Sequence, residues 1–337
     1  MKNLFRVVLI GLFIFMAGCG QNTGQAENTG NDGTDNSDLT PVKFALDWTP
    51  NTNHTGIYVA KEKGYFEEQG LDVEILLPGE AGVNQLLAAE KADFGISYQE
   101  GLTQARSEGL PVVSITAVLQ HNTAGYASPA DKDITSPEDF EGKKFGANGS
   151  DLEKAMMTAL MKNDNADVEE VDYITTGDSD FFVAVERDVD FSLVYYGWTG
   201  IEAELRGVDL NMVYLADYSD KLDFYTPIIA TNEEMIASDP ETVKAFTHAA
   251  VKGYEFAIDN PEEAAEILID RVPDLDPELV KHSQEWLSPR YKDDAERFGI
   301  QEQDRWQKFA DFLLDNDIID EPVDVEQAFT NEFLPEK

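Results

Sequence analysis

Two α/β lobes, each a mainly parallel sheet flanked by helices and joined by a hinge of two crossings, are what this sequence predicts. Three observations carry that expectation. Strand-like and helix-like periods alternate from Pro41 onward. A second alternating series begins near Ala127 before the first is complete, and after Pro227 the chain turns to a strand and then a long helical stretch. A middle block inserted between two pieces of another fits this order, with 41–126 and 226–337 forming one lobe and 127–225 the other. The stretch from Pro41 to Lys337 is long enough for two such domains.

The elements follow in chain order. VKFALD sets Val42, Phe44 and Leu46 between more polar neighbours, the period of a strand, and stops at Pro50. Beyond the loop DWTPNTNH, GIYVAKEKGYFEEQGL reads as helix and turn, and LDVEILLPG as a strand ending at Pro78 and Gly79. GVNQLLAAEKADFGIS supplies a helix and a short strand at Phe94–Ile96, QEGLTQARSEG another helix, and PVVSITAVLQ a strand. In the second series Ser136 caps a short helix with Pro137 at its first position. Lys143–Ala147 is a strand there, and a helix starts at Asp151. VDYITT, DFSLVYY and NMVYLAD are further strands, and from PIIATN to Phe333 the chain is one strand followed by helices. The crossings between lobes are expected near Tyr126–Pro129 and Phe224–Pro227.

The ends and totals narrow the class. Lys2 and Arg6 precede an apolar run from Val7 to Ala17, the layout of a secretory signal and too short to span a bilayer comfortably. The single cysteine, Cys19, follows Met16, Ala17 and Gly18, where a bacterial lipoprotein signal peptidase cuts and a lipid is attached. Residues 1–18 are therefore read as a leader and 19–40 as a flexible tether, because the latter hold no large apolar residue before Leu39. The expected location is the outer face of a bacterial cell membrane. A body without cysteine excludes disulfides. With 66 acidic and 25 basic residues and a formal charge of −41, the chain repels phosphate backbones, which excludes nucleic-acid binding.

Several segments carry a family resemblance. KFALDWTPNTNHTGIYVAKEKGYFEEQGLDVEI, GVNQLLAAEKADFGIS, DITSPEDFEGKKFGANG and VDFSLVYYGWTGIEAE, taken in that order, resemble the substrate-binding lipoproteins of ABC importers in the NMT1/THI5-like group. The resemblance spans roughly 41–330. KEKGYFEEQGLDVE is shared widely with nitrate, alkanesulfonate and riboflavin binders, whereas DWTPNTNH and YYGWTGIEAE point to the branch that captures formylaminopyrimidine, a thiamin breakdown product. The resemblance implies a two-lobed periplasmic-binding-protein-like fold of type II, no chemistry of its own and no cofactor. It also implies a small pyrimidine ligand and partners in an ABC permease and, through it, ATPase subunits. The group includes a eukaryotic enzyme that builds the thiamin pyrimidine from its own histidine and pyridoxal phosphate, and His54 falls at the matching position. That enzyme carries a cysteine-rich segment near its iron site, which this body lacks, so a binder is the expected reading.

In a two-lobed α/β protein the ligand lies where loops from the carboxyl ends of strands converge. A flat aminopyrimidine needs aromatic faces and groups matching its ring nitrogens and amino hydrogens. On the first loop these are Trp48, for stacking or as a plug under the hinge, Asp47 as an acceptor or turn cap, Asn51 as a polar contact or turn former, and His54. The second set is Tyr195, Tyr196 and Trp198, three rings in four positions at a strand end, with Glu202 one helical turn beyond Trp198. Tyr98 and Glu100 follow the Phe94–Ile96 strand and are expected at the cleft. GANGS, at 146–150, precedes a helix whose amides suit an anion or a carbonyl oxygen, and Tyr225 is a hinge candidate. His121, His248 and His282 show no metal-ligand spacing, and no GxxxxGK[ST] phosphate loop is present. Rival ligands are riboflavin or another small heterocycle; sulfonate and nitrate need cationic donors, in which these loops are poor.

Overall fold

The computed structural model describes residues 39–177 and 179–336; the leader, Cys19 and nearly all of the tether lie outside them. β1 (Thr40–Ala45) buries Val42 and Phe44 and ends where the DWTPNTNH loop begins. After α1 (Thr55–Glu62) and α2 (Tyr65–Glu68) come β2 (Leu71–Leu76), α3 (Val83–Ala88), β3 (Phe94–Ser97), α4 (Gln99–Ser107) and β4 (Val112–Ala117). The chain then passes to a second sheet and enters it as β5 (Ala124–Pro129). There follow β6 (Lys144–Ala147), α5 (Asp151–Asn163), β7 (Asp172–Thr175), α6 (Phe181–Arg187), β8 (Phe191–Tyr195), α7 (Ile201–Arg206), β9 (Leu210–Tyr214) and α8 (Leu215–Tyr218). It returns as β10 (Ile228–Asn232) and closes with α9 (Glu233–Ser238), α10 (Pro240–Asp259), α11 (Pro261–Arg271), α12 (Pro277–Lys292) and α13 (Gln303–Asp315).

The two sheets have strand orders β2-β1-β3-β10-β4 and β7-β6-β8-β5-β9. Each is mainly parallel, with one antiparallel strand: β10 opposes β3 and β4, and β5 opposes β8 and β9. Those two are the first strands after each passage between sheets, so the chain enters each time from the opposite end. The first passage runs over 118–123, just ahead of its expected place. Tyr126 through Pro129 lie inside β5, and Tyr126 is buried and paired on both sides, too committed to the sheet to serve as a crossing.

Each sheet has its own aromatic core. Phe246 of α10 stacks on Phe44, Phe66 and Phe94 beside the first. Tyr126, Phe140, Phe145 and Phe191 pack beside the second. α13 serves both, since Trp306 and Ala310 join the first sheet's side while Phe309, Phe312 and Leu313 join the second core. The long helices begin where their chemistry says: Asp239 accepts from the Thr242 amide and Pro240 opens α10, while Asp276 accepts from the amides of Glu278 and Leu279 and Pro277 opens α12. Among the described residues no helix is long and apolar enough to cross a membrane.

Candidate functional site

A cavity of about 520 Å³ opens at the carboxyl ends of the strands of both sheets, within the size range of small-molecule pockets. Its wall takes Asp47, Trp48 and Asn51 from the loop after β1, Tyr98 from the end of β3, and Tyr195 and Trp198 from beyond β8. Thr123, Thr226 and Pro227 come to it from the two passages, and Leu287 from α12. Most of the residues expected at the cleft therefore meet in one place, contributed by both sheets.

Asp47 is the hub of the first loop. Its Oδ1 lies 2.8 Å from Nε2 of His54, and its Oδ2 accepts from the Tyr98 hydroxyl. The Asn51 amide donates to Nδ1 of His54 at 3.0 Å, so Nδ1 carries the lone pair and Nε2–H is the donor to Asp47. Burial pushes the Asp47 carboxyl up, but the bonds from His54 and Tyr98 outweigh it and hold it below its ordinary value. Burial and the Asp47 charge push the Tyr98 phenol well above its own. His54, expected at the ligand, is instead fully buried and forms no part of the wall. It braces Asp47 from behind. Asn51 lines the cavity, yet its side chain accepts from the Asn53 amide and donates to the Thr49 carbonyl, so it is largely spent on shaping the turn.

The second aromatic group divides. Tyr195 and Trp198 face the cavity; Tyr196 turns away, with its ring 5.2 Å from Trp286 and its hydroxyl bonded to Glu204. The turn Tyr196–Gly200 is a π-helix, whose wider turn shifts the residue four beyond Trp198 off Trp198's face. Glu202 accordingly pairs with Arg206 instead of reaching the cavity, contrary to the expectation from regular α spacing. Burial of its hydroxyl end, with the nearby Glu100 and Asp47 carboxylates, raises the Tyr195 phenol above its ordinary range, although 40% of the residue is exposed.

Glu100 stands in the first turn of α4, beside the wall but not part of it. Its Oε2 is sealed without a hydrogen-bond partner among the described residues, and burial raises its carboxyl to about 8. Burial thus favours its protonated form over the carboxylate at neutral pH.

Sequence reasoning missed Glu153, Ser192 and Thr226, all on the wall, where Asn148 of the GANGS turn also lies. Glu153 was legible: Ser150-x-x-Glu153 has the spacing of a capping pair. The Ser150 hydroxyl accepts from the Glu153 amide at 3.2 Å, and Oε2 of Glu153 accepts from the amides of Asn148 and Gly149 at 3.0 and 3.2 Å. The amides of the GANGS turn, expected to be open to an anion, are thus filled by the chain's own carboxylate. Tyr225 is buried at the second passage, donating its amide to Gln99 and accepting at its hydroxyl from the Glu302 amide. His248 and His282 take no part in the wall. His121 approaches Asp293 and Asp294 closely enough for the three to share a cation. Its bond to Asp223, offsetting burial, raises the imidazole to about 9, and an imidazolium has no lone pair to offer a metal.

Against known proteins, the family model described as NMT1/THI5 like matches residues 51–264. The chain is 28% identical to the formylaminopyrimidine-binding protein of Halalkalibacterium halodurans over 98% of this chain and 99% of that one. It is likewise 28% identical to the 4-amino-5-hydroxymethyl-2-methylpyrimidine phosphate synthase of Legionella pneumophila, over 88% and 92%. Among solved structures, the periplasmic aliphatic sulphonate binding protein of Escherichia coli superposes with a TM-score of 0.68 at 12% identity, covering 88% of this chain and 94% of that one. This last likeness shows the two-lobed fold.

Proposed function

We propose that this chain, which belongs to the NMT1/THI5 like family, is the extracytoplasmic solute-binding lipoprotein of an ABC importer and captures formylaminopyrimidine for thiamin salvage. One observation carries the reading: Trp48 from the first lobe and Tyr195 and Trp198 from the second wall a single cavity whose described residues include carboxylates but no lysine, arginine or histidine. Rings from both sides suit a planar heterocycle, and carboxylates suit its amino hydrogens. A ligand touching both lobes favours the closed form because the open form lacks half of those contacts. The sheet of β1–β4 and β10 would move as one lobe and the sheet of β5–β9 as the other. A lipid on Cys19 would hold the receptor beside its permease.

A thermal-shift panel tests this. A ligand binding only the folded state at 100 times its Kd adds about 2.7 kcal/mol to apparent stability. Formylaminopyrimidine is expected to give a large shift, and taurine or nitrate little. Stabilisation by riboflavin alone would falsify the pyrimidine reading.

The rival reading is the synthase activity named for the Legionella relative. His54 favours the binder: both ring nitrogens are engaged and the ring is fully buried behind Asp47. Chemical alteration of His54 on incubation with iron and pyridoxal phosphate would reverse that preference.

A further inference from the structure

The helix N-terminus at the cavity is an anion site already occupied from within. The turn that leads into α5 presents the amides of Asn148 and Gly149 just ahead of the helix N-terminus, and amides so placed hold phosphate or sulfate in many proteins. Here Glu153 fills them, although it is 6% exposed and burial raises its carboxyl. It belongs to the same cavity wall as Asp47 of the other lobe, and no described wall residue carries a positive charge to offset the two. An incoming anion would have to displace one carboxylate and face another.

We propose that Glu153 is the specificity residue of the cleft: a built-in carboxylate seated on the amides of the turn before α5 that excludes anionic ligands, so that the receptor takes a neutral or cationic pyrimidine and rejects a pyrimidine phosphate ester. The proposal rests on the reading of this cavity as a pyrimidine site, but its charge logic concerns any anion. A helix cap with no role in selection would need only an acceptor, which glutamine also provides; rejection of anions needs the charge.

Two substitutions separate these roles. Glu153→Gln keeps an acceptor for the two amides and removes the charge, whereas Glu153→Ala empties the site. Calorimetry would compare 4-amino-5-hydroxymethyl-2-methylpyrimidine, its phosphate ester and inorganic phosphate on each folded protein. The wild type is expected to bind the alcohol at least 100-fold more tightly than the ester and to ignore inorganic phosphate. Glu153→Gln is expected to shrink that preference at least tenfold, and Glu153→Ala to shrink it further and gain weak phosphate binding. An unchanged preference in both variants, or a wild type that takes the ester as readily as the alcohol, overturns the proposal. Formylaminopyrimidine titrated onto the same proteins separates the two readings: should neither it nor the alcohol bind any of the three, the pyrimidine reading fails, and inorganic phosphate still decides, since binding gained by Glu153→Ala upholds the role of Glu153 and no gain overturns it.

Discussion

Trp48 leaves 54% of its surface in solvent beside a cavity to which the opposite lobe brings the rings of Tyr195 and Trp198. An indole held on a loop gains little for the fold, so its removal is expected to shift stability by no more than about 0.5 kcal/mol. Stacking of a heterocycle on an aromatic ring is worth about 1–3 kcal/mol. Trp48→Ala should therefore weaken pyrimidine binding by roughly 5- to 150-fold at an almost unchanged melting temperature. Calorimetric titration beside a thermal melt reads both, and a melting temperature that collapses with the affinity would mark Trp48 as a core plug. The sequence made Trp48 legible because a large ring directly after a strand has few other uses. It left His54 ambiguous, because loop position does not tell which way a ring turns. The neighbouring Asp47 and Asn51 decide that, by offering partners to both of its nitrogens.

At the scale of elements, the alternation of periods told strands from helices along nearly the whole body, since hydrophobic period is a local property. The turn after β8 escaped that reasoning. Residues 196–200 form a π-turn, which no hydrophobic pattern of five residues can distinguish from an α-turn, and it is why Glu202 is not where α spacing puts it. Small residues make the turn possible: a Cβ on Gly197 would stand 2.9 Å from Cδ2 of Leu287, and one on Gly200 would run into the Tyr196 ring. Tyr196 is held in place by its packing on Trp286 and Tyr214 and by its bond to Glu204. Gly200→Ala is thus expected to overpack the turn at a cost of about 1–3 kcal/mol and to misplace Trp198. Urea unfolding would show the loss of stability and titration a weaker affinity; a variant with wild-type values in both would mean that the turn relaxes freely.

The arrangement of the whole molecule was legible in outline, because an α/β series interrupted by another leaves few ways to connect two sheets. What the sequence could not reveal is how the passages between them are tied, since that depends on side chains about a hundred positions apart. The amide of Asn122 donates to Oδ1 of Asp223 at 2.9 Å, and its side chain donates to the Leu222 carbonyl. His121 lies 2.7 Å from Oδ2 of Asp223 through Nδ1 and 3.2 Å from Asp294 through Nε2, with Asp293 close by. Arg305 of α13 also approaches Asp223, at 3.4 Å. The bond to Asp223 is the largest influence on the imidazole, exceeding the opposing effects of burial and of Arg305, and raises it from 6.5 to about 9. A histidine raised on folding contributes its full stabilisation below its unfolded value, near 6.5, and loses it as pH rises through about 9. Its side chain is 38% exposed, so solvent screening limits the contribution to about 1 kcal/mol. Thermal melts of the wild type and His121→Gln are therefore expected to differ most at pH 6 and to converge by pH 10. A difference that stays constant across that range would show that His121 ties the passages by packing and not by charge.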